Sequence, residues 1–514
     1  MHSHFKRMIS FFFSSIFLLV SCTQDQDLKT YIQQSGNEYI PIDNSDENAE
    51  GIVTDVFSDG LKAFSSAYGA GINSSGWRGG KILHVTSLED DYNTVKEGTL
   101  RWALTQKFPR IIVFDVSGVI ELSGIIYLNP DHSNFYLAGQ SAPRGIMVKG
   151  YSMWTSGLSD VVIRYVKFYG DKDRVIAPND RSKARRPLIR FGSPKNVMVD
   201  HCDFVFNQNE AINFWGSNGV VAGGATLQNC LIGEGVTGTL MGGDECSTDL
   251  GGEYSAIRNL YIHISHRTPN FTASVKGEAI NNVTYNTKSR LSRVSCTAQA
   301  NFYGNYFKAG PATHFDHPNR INLVRDDDGA DVYIDSEYWS WMDGRVTSGS
   351  DSKTLIFNAA LSGTNKAKSI QPVTSKWLRD SPVILMGDRP KLMHHNDAYE
   401  YVLKNVGARR YLKADGSFQE IVDSKQEQYL DDVRYSKNTN GSGSTYGMGL
   451  GIFDFPEISA IRRSQAYDSD FDGMPDVWER ANGLNPEIRD DFLDLDGDGY
   501  TNIEEFLSLV DDSF

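Results

Sequence analysis

Short β-rich runs recur between about residues 110 and 310, each followed by a turn rich in Gly, Asn, Ser or Asp, and this recurrence restricts the fold more than any other feature. Set in register, the runs are Arg164–Phe168, Asp200–Phe204, Gln228–Ile232, Arg258–Ile262 and Asn281–Tyr285. Their central apolar residues, Val166, Cys202, Cys230, Leu260 and Val283, lie 36, 28, 30 and 23 residues apart. One coil of about 22 residues carrying loops of variable length accounts for that drift. The slot before the centre holds His201, Asn229, Asn259 and Asn282, as expected if polar side chains stack at a repeated turn and satisfy backbone groups there. A sandwich requires hairpin signals between its strands, and Asn-Gly or Asp-Gly pairs are scarce here. The expected fold is therefore all-β: a right-handed parallel β-helix whose loops gather along one side as a cleft. Gly98–Leu104 reads as a short capping helix over the open end of the coils, since uncovered strand edges invite aggregation.

The two ends of the chain differ from this middle. Residues 1–21 read as a signal peptide, with Lys6 and Arg7 before an apolar stretch, Ile9 to Val20, too short for a stable membrane span. Leu19-Val20-Ser21-Cys22 resembles a bacterial lipobox, which places lipid on Cys22 and makes the protein an outer-membrane or cell-surface lipoprotein, or a secreted one; the alternative is an ordinary secretory signal. A polar tether over 22–52, with seven acidic residues between Thr23 and Glu50, leads to a β-helix domain over 53–455. Beyond about residue 311 the repeat weakens, Asn396 to Val406 looks helical, and Asn438–Thr445 reads as a connector. The four cysteines after Cys22 are too few for a disulfide scaffold, and Cys202 and Cys230 read as buried thiols.

Residues 464–514 form a small EF-hand-like module in this reading. Asp468, Asp470, Asp472, Asp476 and Glu479 stand at positions 1, 3, 5, 9 and 12 of a calcium loop with Gly473 at position 6. Asp494, Asp496, Asp498, Asn502 and Glu505 repeat the arrangement 26 residues later around Gly499. Calcium bound by these loops is expected to be structural.

Asp200-His201-Cys202, Arg267-Thr-Pro269 and Phe302–Pro311, with Gly76–Val85 and Ile111–Gly118 before them, together resemble the pectate lyases of polysaccharide lyase family one. The similarity runs over about residues 70 to 455 in the family's order. It implies a parallel β-helix, which the repeat indicates on its own, and an enzyme that cleaves pectate or another uronate-containing polysaccharide by β-elimination. A base removes the C5 proton, the bond to O4 breaks, and the adjacent carboxylate must be neutralised for the carbanion to form. The resemblance makes Arg267 that base; because a guanidine titrates above about 12, it implies an alkaline optimum. An arginine that fixes a loop through an ion pair is the competing reading.

The family's calcium site is only partly matched. Pro187 stands where an acidic ligand is expected, leaving Asp200 and Glu210 as cleft ligands, or as structural carboxylates that cap the turn. Thr237 and Thr272 occupy slots where the family carries Lys and Arg, so His266 and Lys276 are the nearest donors to substrate. A cationic stretch over 172–190, with Lys172, Arg174, Arg185, Arg186 and Arg190, is expected to pair with uronate or sulfate groups, an inert solvated loop being the alternative. The net charge of −15, from 50 Lys+Arg against 65 Asp+Glu, argues against nucleic acid as a partner. The expected partners are an acidic polysaccharide and a membrane reached through lipid alone, with the protein a monomer. A lyase for another acidic, for example algal, polysaccharide and a noncatalytic glycan-binding β-helix remain alternatives. Paired-carboxylate hydrolysis is disfavoured, because Asp200 and Asp203 are an odd number of residues apart on a strand.

Overall fold

A ladder of side chains at equivalent positions organises the interior. Leu83, Ile112, Leu137, Ile163, Val199, Leu227, Ala256, Ala279, Phe302 and Ile334 stack in consecutive parallel strands, all buried in one core. This computed structural model describes residues 60–171, 187–216, 223–243, 251–288, 291–313, 331–343, 379–441 and 454–511, all within one unit, Val53–Phe514. The ladder lies in a ten-stranded parallel sheet from Lys81–Val85 to Asp331–Ile334. A sixteen-stranded sheet supplies the other faces. Its main row runs from Val116–Glu121 to Trp341–Asp343, closed by the antiparallel strand Ile461–Arg462, and a branch runs from Ile126–Leu128 to Arg293–Val294. Each coil thus crosses three strand faces, which is a parallel β-helix.

The coil register differs from the sequence reading by one residue in its second half. Lys167, Asp203, Leu231, Leu260, Val283 and Tyr306 are direct strand partners, so Cys230 stacks with Asn259 and Asn282, and not with Leu260 and Val283. Backbone amides follow this register. Cys202 N donates to Cys230 Sγ at 3.3 Å, Cys230 N to Asn259 Oδ1 at 2.9 Å, Asn259 N to Asn282 Oδ1 at 3.0 Å, and Asn282 N to Asn305 Oδ1 at 3.0 Å. His201 and Asn229 occupy the preceding position with Arg258 and Asn281, all at positive φ. Each coil turns sharply there, and the next residue points its side chain inward.

The cap forms as expected. Leu100–Leu104 is a helix whose first turn is held by Thr99, with Leu100, Ala103 and Leu104 in the core. Its end is fixed by Arg110, whose guanidinium donates to the carbonyls of Ala103, Leu104, Phe108, His132 and Ser133 at 2.7–3.1 Å. Burial pulls the Arg110 pKa down to about 9.

The acidic tail does not stand apart. Met474, Trp478, Ile503, Phe506, Leu507 and Val510 share one buried cluster with Trp77, Ile82, Ile111, Val113, Tyr136 and Val162 of the coils. Arg78 Nε meets Glu504 Oε1 at 2.8 Å, Arg410 Nη1 donates to the Val510 carbonyl at 2.9 Å, and Asp511 pairs with Arg164. The helices Asp476–Asn482 and Asn502–Ser508 are therefore a flank of the β-helix.

Candidate active site

Arg267 follows the strand Leu260–His266 and sits at φ +70°, in the left-handed region. Its carbonyl accepts from Thr239 N at 2.7 Å, and a Cβ at Gly238 would lie 2.2 Å from that oxygen, so this approach requires glycine. The guanidinium pairs through Nη1 with Glu210 Oε1 and keeps 22 % of the side-chain surface open. Glu210 opens the strand Glu210–Trp215 and is almost buried; Asn213 Nδ2 donates to its Oε2 at 3.4 Å. Both carboxylate oxygens are thus engaged within the protein. His266 lies beside Arg267, in register with Thr237, whose hydroxyl donates to the Asn209 carbonyl at 2.6 Å.

The same branch of the sheet carries Arg190. Tyr127, Trp154, Arg190, Asn213, Leu240, Asn270 and Arg293 are successive strand partners across the coils, while Phe191 and Phe214 stack on the inner side at 5.5 Å. The Arg190 guanidinium lies 4.5 Å from the Trp154 ring centre and 5.3 Å from that of Trp215. Partial burial lowers its pKa, and the two rings supply cation–π attraction. Lys172, Arg174, Arg185 and Arg186 lie outside the described residues, as do Cys22 and the tether.

Asp200 and Lys276 do not line the site as the sequence suggested. Asp200 has no exposed surface: it receives Arg164 Nε at 2.7 Å, Gln228 Nε2 at 2.9 Å and Asn229 Nδ2 at 3.0 Å, with His201 Nδ1 at 2.9 Å. A carboxylate enclosed by three hydrogen-bond donors and the His201 ring is a buried strut and not a cleft ligand. Burial alone would raise its pKa, but the His201 and Arg164 charges and these hydrogen bonds outweigh it and hold the group below the usual carboxylate range. Lys276 belongs to the other sheet, in the strand Lys276–Ile280, where it is 3.3 Å from Glu253; it does not face Arg267.

The tail gathers its acids. Ligand oxygens of Asp468, Asp470 and Asp472 lie within 4.8 Å of one another, as do those of Asp472, Glu479 and Asp490, and those of Asp494, Asp496 and Asp498. Asp476 is turned away: it accepts from Ser469 N at 2.8 Å and from Arg480 Nη2 at 2.9 Å. Asn502 Nδ2 donates to the Asp490 carbonyl at 2.8 Å. Sequence reasoning missed Asp490, which falls outside both twelve-residue loops, and the Trp154–Arg190–Trp215 stack, whose members are separated by coils of unequal length.

No family model matches the chain. A probable pectate lyase C from Aspergillus terreus is 30 % identical over 466 residues, which cover 88 % of this chain and 95 % of the relative. This chain belongs to the pectate lyase family. A probable pectate lyase C from Aspergillus flavus is 29 % identical over 467 residues, covering 89 % of this chain and 96 % of that one. Among solved structures, the major allergen from cedar pollen is 16 % identical, covering 66 % of this chain and 92 % of its own, with a TM-score of 0.46. A Bacillus subtilis pectate lyase is 12 % identical, covering 68 % and 96 %, with a TM-score of 0.43.

For a pectate lyase family member, the described cleft residues fit calcium poorly. The ion takes 6–8 oxygens. Glu210 is held by Arg267 and Asn213, Asp200 is sealed inside, and Pro187 contributes only a carbonyl, which accepts from Ser152 Oγ at 2.6 Å. Among the described residues, groups of three converging acids lie only within 468–498.

Proposed function

We propose that this protein is a polysaccharide lyase that cleaves pectate by β-elimination, with Arg267 as the base. The observation that carries this reading is the partly exposed Arg267 side chain, paired with Glu210 and three coils along from Arg190. A neutral guanidine nitrogen takes the C5 proton of a uronate, the freed electron pair forms the C4–C5 double bond, and O4 leaves with its bonding pair to be protonated by water. Arg190, fixed between Trp154 and Trp215, supplies positive charge for a uronate carboxylate on the same face. His266 is a further donor beside the base. Pectate is one acidic partner among several with this chemistry, and algal uronans are the alternative substrate.

The ion pair itself favours a second reading, in which Arg267 stays charged and grips the substrate carboxylate while Glu210 takes the proton. Ultraviolet absorbance of unsaturated uronides separates these readings from a noncatalytic glycan binder. Polygalacturonate, alginate and algal uronans are each incubated with wild type and with Arg267→Ala. Lyase action predicts the chromophore with wild type and its loss in the variant; absence of the chromophore with every uronan overturns the reading.

Calcium serves the acidic tail in this proposal. In the second loop Asp494, Asp496 and Asp498 converge, and Glu505, raised to about 7 by burial and by Asp498, Asp496 and Glu504, is the closing ligand. Export and a lipid anchor on Cys22 complete the proposal, which makes the protein a surface lipoprotein working as a monomer on extracellular polysaccharide. Cys22→Ala should move it from the membrane fraction to the soluble fraction.

A further inference from the structure

The first tail loop deviates from its sequence pattern at one ligand and gains another from outside. Glu479, on the helix Asp476–Asn482, has no exposed surface, and neither carboxylate oxygen has a hydrogen-bond partner. Its ligand oxygen lies within 4.8 Å of those of Asp472 and Asp490. Asp490 is itself buried with Oδ1 unpartnered, and Asp470 Oδ2 is buried and unpartnered on the other side of Asp472. A fully enclosed carboxylate that faces further carboxylates without a single donor can carry its charge only with a cation between them.

We propose that Asp468, Asp470, Asp472 and Glu479 form a composite calcium site with Asp490, Asp476 being excluded, and that the bound ion fastens the tail to the flank of the coils. The oxygen count suits the ion: five carboxylates provide the hard donors it takes at flexible geometry. Asp476 serves the loop differently, closing it through Ser469 and Arg480. The site also touches the body. His84, on the first strand of the ten-stranded sheet, reaches the Phe471 carbonyl at 3.3 Å, and a Cβ added at Gly473 would lie 3.1 Å from Ile82. Trp478, one residue before Glu479, sits in the cluster that joins tail and coils. The ion therefore holds together a segment that covers one flank of the β-helix.

The test needs no substrate, so it stands or falls separately from the lyase reading. Full-length protein is stripped with a chelator and titrated with calcium alone, recording bound ions by equilibrium dialysis and the thermal midpoint. Wild type should take up an ion at this site in addition to the one in the second loop, and its midpoint should rise. Asp490→Asn should weaken one site about tenfold or more and remove most of that rise, whereas Asp476→Asn should leave affinity within about twofold. Asp490→Asn relieves repulsion among the acids, whereas Asp476→Asn loosens the Ser469 and Arg480 contacts, so the calcium-free thermal midpoint of each variant is the baseline for its rise. Unchanged binding in Asp490→Asn, or loss of the ion in Asp476→Asn, overturns the composite site. Calcium uptake with no change in midpoint in wild type overturns the fastening role.

Discussion

Arg164 and Asp200 sit on adjacent coils as direct strand partners, with Arg164 Nε 2.7 Å from Asp200 Oδ2 and neither side chain exposed. Asp511, near the end of the described tail, pairs with the same guanidinium. The Asp-His turn that resembles a catalytic landmark is thus tied, on the outward side of its strand, to the flank that covers it.

Removing the Asp200 charge leaves Arg164 with one anionic partner in place of two. Asp200→Asn should cost about 3–5 kcal/mol of stability, read as a lower urea midpoint, with calcium uptake by the tail unchanged. A pronounced loss of calcium uptake at full folding would restore Asp200 as a ligand.

The same pair sets an acid limit. Because the folded-state pKa of Asp200 is depressed, its contribution is fully present above the unfolded value of about 3.9 and fades as pH falls through the folded value. Wild type should lose stability more steeply below pH of about 4 than Asp200→Asn does, as measured by the thermal midpoint across an acid series.

Asn282 occupies the interior turn ladder. Asn282→Ala strips the acceptor from Asn259 N and Asn259 Nδ2 and the donor from the Ala256 carbonyl. Stranding buried groups costs about 1–3 kcal/mol each, so a loss of at least about 2 kcal/mol in chemical denaturation is expected. A loss below about 0.5 kcal/mol would mean that the coils close the gap without the ladder.

At the cleft, Arg267→Lys should lower kcat by about 100-fold to 10,000-fold on polygalacturonate. Glu210→Gln decides which partner takes the proton: activity within about tenfold of wild type assigns it to Arg267, and a loss as complete as in Arg267→Ala assigns it to Glu210.

Arg190→Ala removes a cation held between two indoles. KM for polygalacturonate should rise about tenfold, with a smaller effect on kcat, since the interaction is made with bound substrate before the reaction begins. A change confined to kcat would place Arg190 at the reacting sugar instead.

Local spacing sufficed for whatever a short stretch of chain contains. The strand runs with their turns, the short helix after Gly98 and the acids of each tail loop are each spelled out within about a dozen consecutive residues, and periodicity and turn chemistry report on that range. What the three-dimensional fold alone decided is which residues meet across coils. Loops of unequal length conceal the register, so Leu260 looked equivalent to Cys230 while Asn259 is its true neighbour. The same concealment hid Glu210 from Arg267 and Trp154 from Arg190, while Asp490 reaches Glu479 from between the two tail loops. A carboxylate becomes a strut, a partner of the base or a metal ligand according to the charge placed against it, and that charge arrives from another coil.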